Sequence, residues 1–154
     1  GNMKFALNGA LTIGTLDGAN VEIRECVGDE NIVIFGLRAD EVAGRRAGGY
    51  SPRAVIEASP ELRQALQAMA SGVFSPDDPD RYKDLIGGLY DHDWFMVAAD
   101  FDAYAAAQRR VDALWRDSPR WYGMTIRNTA RVGWFSSDRT IRQYAEEIWK
   151  VPTG

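Results

Sequence analysis

Cysteine and histidine are almost absent: Cys26 and His92 each stand alone in 154 residues. A single cysteine closes no internal disulfide and a single histidine completes no Cys/His zinc pattern, so a stapled or metal-held fold is excluded and the reducing cytoplasm is the expected setting. Lysine is scarce as well, at positions 4, 83 and 150, so arginine supplies most of the basic charge. No basic excess exists either. Eighteen basic against 22 acidic side chains give a net charge of −4, which removes the electrostatic footprint expected of a partner for nucleic acid or an anionic membrane, while leaving room for a local phosphate site. No run approaches the ~18 apolar residues of a membrane span, and the first residues lack the order of a signal peptide. Internal repeats, low-complexity tracts and linkers are also missing.

What is present is an ordinary globular balance, 45% apolar and 26% charged, in one domain long enough to bury a core. Asn8-Gly9 is expected to end a short first helix, because glycine tolerates the left-handed backbone that closes one. Leu11–Leu16 and Asn31–Gly36 read as strands around a helix over Ala19–Val27, with Asp17 as its N-cap, so the segment reads as a βαβ unit of a parallel sheet. Phe95–Ala99 is a third strand candidate. Ser51-Pro52, Ser59-Pro60, Ser75-Pro76 and Ser118-Pro119 announce helix starts. Apolar stripes predict helices around Leu62–Met69, Tyr82–Leu89, Phe101–Trp115 and Ser137–Trp149. Three strands and about seven helices make an α/β chain whose short parallel sheet carries many helices, a sheet that looks cut short.

Several residue groups invite a chemical reading. Gly14 and Gly18 flank a strand-to-helix turn, but their spacing matches neither a dinucleotide fingerprint nor a P-loop, so a tight turn is the reading. Asp91-His92-Asp93 are adjacent, and adjacent side chains diverge, so no metal is expected. No catalytic triad can be assembled around His92. Cys26 reads as a small core residue, and Arg45-Arg46 and Arg109-Arg110 as solvated faces. Lys4, between Met3 and Phe5, is either a snorkelling lysine or an amine desolvated by apolar neighbours and able to attack an aldehyde.

The run Gly1-Asn2-Met3-Lys4-Phe5-Ala6-Leu7-Asn8-Gly9, continuing through Gly14-Thr15-Leu16-Asp17-Gly18-Ala19-Asn20 to Glu22, resembles the pyridoxal phosphate attachment segment of the glycogen and α-glucan phosphorylases. The likeness continues in Asn31–Gly36, Ser71–Pro76, Asp91-His92-Asp93 with Phe95, Asp100 and Tyr104, and Gly133–Ile141 running to Trp149. Trp134 departs from it, standing where a basic residue is expected. The resemblance implies a two-domain glycosyltransferase of GT-B type with Rossmann-like halves, of which residues 1–154 form the C-terminal part of the cofactor-binding domain. It implies cleavage of a terminal α-1,4-linked glucose by inorganic phosphate to glucose 1-phosphate, with pyridoxal 5'-phosphate anchored on Lys4. Gly1 then faces the cofactor phosphate through its backbone N–H. The family signature starts upstream of Gly1, so the sequence reads as entered midway, with the glucan-binding domain and the residues for substrate phosphate outside it. The expected consequences are a homodimeric cytoplasmic enzyme as the parent and, for this chain alone, no cofactor binding, no catalysis and self-association. A non-catalytic interaction module that docks on other chains is the alternative.

Overall fold

The computed structural model describes residues 1–152; Thr153 and Gly154, the last two positions of the expected 1–154 domain, lie outside the described residues. In chain order the elements are α1 (Asn2–Leu7), β1 (Ile13–Gly14), α2 (Ala19–Val27), a 3-10 turn at Asp29–Asn31, β2 (Val33–Ile34), α3 (Ala39–Ala47), α4 (Pro52–Ala58), α5 (Pro60–Ala70), α6 (Lys83–Asp91), α7 (Val97–Arg116) and α8 (Ser118–Arg131). A 3-10 turn at Val132–Phe135, α9 (Ser137–Gln143) and a π-helical stretch at Tyr144–Trp149 complete the described chain. Two compact units result: Gly1–Ile34 with the segment from Arg110 onward, and Phe35–Arg109.

In the first unit β1 and β2 pair in parallel, Ile13 opposite Val33 and Gly14 opposite Ile34, with α2 as the crossover. The βαβ reading holds, although the ladder is much shorter than the two apolar runs that announced it. Ala6, Ile23, Val27, Ile32 and Val132 are fully buried together, with Leu7, Cys26, Ile34 and Phe135 packed against them. Buried Asn128 of α8 donates from Nδ2 to the carbonyls of Asn31 and Met124, both at 2.9 Å. This ties α8 to the segment entering β2, as a buried amide requires.

The second unit is helical, built on Ile56, Leu62, Leu66 and Ala98 with Phe101, Leu89 and Met69 against them. Ser51 and Ser59 cap α4 and α5 as expected, each accepting a backbone N–H at 3.4 Å. Two carboxylates organise the rest. Asp100 accepts the Leu37 N–H at 2.8 Å, and a Cβ on Gly36, which has φ +77°, would lie 2.7 Å from that carboxylate. Asp93, only 4% exposed, accepts from the Tyr50 hydroxyl at 2.6 Å and from the N–H groups of Val97 and Ala98 at 2.8 and 3.0 Å.

That last set of bonds explains why Phe95–Ala99 is not a strand. Asp93 satisfies the first free N–H groups of α7, so helix begins at Val97 and Phe95 is left in a turn, 82% exposed. A short apolar run fits either state, and capping decided it. Three caps also differ from expectation. Gly18, not Asp17, occupies the N-cap of α2, and Asp17 accepts from Thr15 Oγ1 instead. Asp117 caps α8, one residue before Ser118. No helix follows Ser75-Pro76 directly, since the chain turns twice before α6 opens at Lys83. The described residues thus hold two strands and nine α-helices. None of these helices is long and apolar enough to cross a membrane.

Burial and the hydrogen bond to Asp93 push the Tyr50 phenol above its ordinary value. The protonated phenol therefore stabilises this unit below about pH 10 and stops doing so as pH rises through the folded value. Asp93→Ala should lower stability by about 2–4 kcal/mol, the sum of a lost cap and an orphaned hydroxyl. Tyr50→Phe should lower it by about 1 kcal/mol. Urea unfolding of the two variants at neutral pH measures both.

Candidate functional site around Lys4

The Lys4 amine stands on a helix of six residues that begins after Gly1 without a side-chain cap. Its C-terminal end is well closed. The Gly9 N–H bonds to the Ala6 carbonyl and the Ala10 N–H to the Phe5 carbonyl, both at 3.0 Å, with Gly9 at φ +80°. This is the Schellman pattern that Asn8-Gly9 announced. Asn8 Nδ2 donates to the Lys4 carbonyl at 2.7 Å. Ala6, in the last turn, anchors the helix in the core.

Lys4 itself is exposed, and so are its neighbours Met3 and Phe5, the latter by 66%. Both apolar flanks point outward, and among the described residues nothing covers the amine. Lys4 is the one basic residue between Gly1 and Ile23. Gly1 is exposed at the helix start, its carbonyl accepting the Phe5 N–H at 3.1 Å.

Sequence reasoning missed two asparagines here. Asn2 Nδ2 donates to Asn20 Oδ1 at 2.8 Å, and Asn20 Nδ2 donates to the Thr15 carbonyl at 2.9 Å. Gly14 and Gly18 form the expected tight turn, and Gly14 is shaped around Asn20: a Cβ there would lie 2.6 Å from the Asn20 Nδ2. Gly18 adopts φ +47°, ψ −139°, a region that belongs to glycine. Two glycines around a turn, with an asparagine just beyond, were the available signal.

The remaining candidates stay apart. Asp91 pairs with Arg53, His92 is exposed at the end of α6, and Asp93 is buried against Tyr50. No group of three metal-ligating side chains occurs among the described residues. Burial, helped by Glu25 and Glu22, pushes the Cys26 thiol up, as suits a core residue. Arg46 is more than a solvated charge: its guanidinium lies 4.8 Å from the Trp94 ring centroid and donates to the Trp94 carbonyl. Arg109 faces Glu61 at 3.3 Å. Trp134 is covered by Arg139, 3.7 Å from its ring centroid.

Comparison with known proteins settles the kinship of this geometry. The family model described as carbohydrate phosphorylase matches residues 1–151. The chain belongs to that family. It is 55% identical over 151 residues to the brain form of glycogen phosphorylase from Mus musculus and 52% identical to the muscle form from Oryctolagus cuniculus. Each match covers 98% of this chain and 18% of the relative. The chain therefore spans about a fifth of the length of these family members.

Gly18→Ala should destabilise the first unit by roughly 1–3 kcal/mol, the range for a residue forced into a glycine-only backbone. Thermal unfolding followed by circular dichroism checks this.

Proposed function

We propose that the chain is the C-terminal part, residues 1–154, of the cofactor-binding domain of an α-glucan phosphorylase. In this reading the intact protein is a cytoplasmic, homodimeric glycosyltransferase of GT-B architecture. It uses inorganic phosphate to release terminal α-1,4-linked glucose as glucose 1-phosphate. The observation that carries the reading is the family match along residues 1–151, which brings with it a lysine whose setting suits covalent attachment of pyridoxal 5'-phosphate.

Attachment needs a primary amine that is accessible and not committed to a carboxylate, on backbone that does not wander. Lys4 is exposed, has no ion-pair partner among the described residues, and sits on a helix closed by Gly9 and anchored by Ala6. These residues suit the covalent link. With no second basic residue before Arg24, these residues do not by themselves balance a phosphate dianion. Lys4 Nζ would hold the cofactor, and the Gly1 backbone N–H would face its phosphate. When bound, the cofactor supplies a phosphate group that gives and takes a proton next to the substrate phosphate. Lys4 keeps that group in place and takes no part in breaking the glycosidic bond. Trp134, engaged with Arg139, has no role in this scheme.

Borohydride reduction of the intact protein, then peptide mass mapping, should place the pyridoxyl label on Lys4. Label on Lys83 or Lys150 would overturn the assignment.

In this reading most of the charges preorganised around two phosphates belong to the rest of the intact protein, and loss of a single such donor typically lowers rates by about 10²–10³. The chain alone also exposes Ile141, Tyr144, Ile148 and Trp149 near its end, an apolar surface that favours association. The isolated chain should release no glucose 1-phosphate from maltodextrin and phosphate, and should sediment as an oligomer at micromolar concentration. Phosphorolysis above trace level or a stable monomer would contradict these two expectations respectively.

A further inference from the structure

We propose that Asn2 and Asn20 form a clamp that positions the attachment lysine, an inference that rests on Lys4 being the residue that holds the cofactor. A helix of fewer than about 12 residues is marginal by itself, so the six residues of α1 do not fix Lys4 by their own hydrogen bonds. The C-terminal half is secured by Ala6 and the Gly9 closure. In the first turn Gly1, Met3, Lys4 and Phe5 are all exposed, and no apolar side chain holds it down. Asn2 remains.

Both ends of the Asn2 amide are engaged. Its Oδ1 accepts the Met3 N–H at 3.0 Å, satisfying one of the free donors at the helix start, and its Nδ2 donates to Asn20 Oδ1 at 2.8 Å. Asn20 passes the connection on, donating to the Thr15 carbonyl just past β1 at 2.9 Å. An unbroken line of hydrogen bonds thus runs from the end of β1 through two amides to the peptide N–H next to Lys4. The surrounding backbone accommodates it: Gly14 leaves space that a Cβ would take from the Asn20 amide, and the Gly18 turn sets Asn20 in the first turn of α2.

The helical period explains why this hold leaves the lysine free. Two residues along an α-helix turn the side-chain direction by roughly 200°. Asn2 therefore grips the β1–α2 turn while Lys4 points away from it. Without the clamp the first turn frays, Lys4 Nζ samples more positions, and the covalent link reopens more often. Asn2 and Asn20 are positioning residues, since neither needs to touch the cofactor.

The test uses the intact phosphorylase carrying this sequence and follows exchange of bound cofactor for isotope-labelled pyridoxal phosphate, trapped by borohydride and mapped to Lys4. Asn2→Ala and Asn20→Ala should each speed exchange roughly three- to tenfold, the scale of one hydrogen bond. The double variant should exchange no faster than the faster single one, because the two residues act as one unit. Asn20→Asp, which keeps the acceptor for Asn2 but loses the donor to Thr15, should fall between wild type and Asn20→Ala and guards against misfolding of the alanine variants. Met124→Ala, a buried α8 substitution, should lower the melting temperature without speeding exchange. Label at Lys4 with unchanged exchange in the clamp variants, additive effects in the double variant, or equal acceleration by Met124→Ala would each overturn the clamp alone. Absence of label from Lys4 in the unsubstituted protein would overturn the cofactor assignment beneath it.

Discussion

The position of the Lys4 amine depends on a helix too short to stand unaided. Six residues cannot repay the nucleation of a helix in water, so α1 takes its place from its surroundings. Ala6 packs among Ile23, Val27, Ile32 and Val132 at one end, and Asn2 is bonded to Asn20 at the other. The parallel pairing of β1 with β2 matters chiefly because it sets the Gly14–Gly18 turn leading into α2, in whose first turn Asn20 stands. A reactive side chain can be exposed and still be fixed when both ends of its element are tied down. Lys4 meets that condition with no packing around the amine itself.

In the second unit three carboxylates of graded exposure tie loops to helices: Asp93 is buried, Asp100 half-buried and Asp102 exposed. Asp93 joins Tyr50 to the first turn of α7, and Asp100 holds the Gly36-Leu37 turn. Ser59 caps α5 and also donates to Asp102 at 2.6 Å. Each acid meets N–H or O–H donors, and for Asp93 these are what lets a carboxylate withstand burial. The first turns of α7 thereby organise the loops of this unit while its apolar face covers Ile56, Leu62 and Leu66.

How much of this was legible in the sequence follows from the range of the interactions concerned. The end of α1 at Asn8-Gly9, the caps at Ser51 and Ser59, the βαβ order and the core role of Cys26 are local or periodic signals, and they were readable. The Phe95–Ala99 strand was not separable from helix by its apolar run, because the deciding group, Asp93, acts through a cap bond and a long-range bond to Tyr50. Asp17 lost its cap to Gly18 because the turn needs a backbone only glycine adopts readily. Lys4 could be singled out as a candidate for cofactor attachment because a long contiguous segment resembled the phosphorylases. Asn2 and Asn20 were invisible as a pair, since eighteen residues separate them and neither type marks a long-range contact by itself. Sequence also left open whether Met3 and Phe5 desolvate the Lys4 amine, because neighbours in sequence on a helix need not be neighbours in space.

We propose Lys4 as the point at which the intact protein holds pyridoxal phosphate, and its Lys4→Arg variant is the sharpest test. Arginine keeps the charge but has no primary amine to form the link. The absorbance of bound pyridoxal phosphate, recorded after removal of free cofactor, should be present in the unsubstituted protein and lost in the variant, with the fold unchanged by circular dichroism. A variant that retains the bound chromophore through that removal would contradict the account.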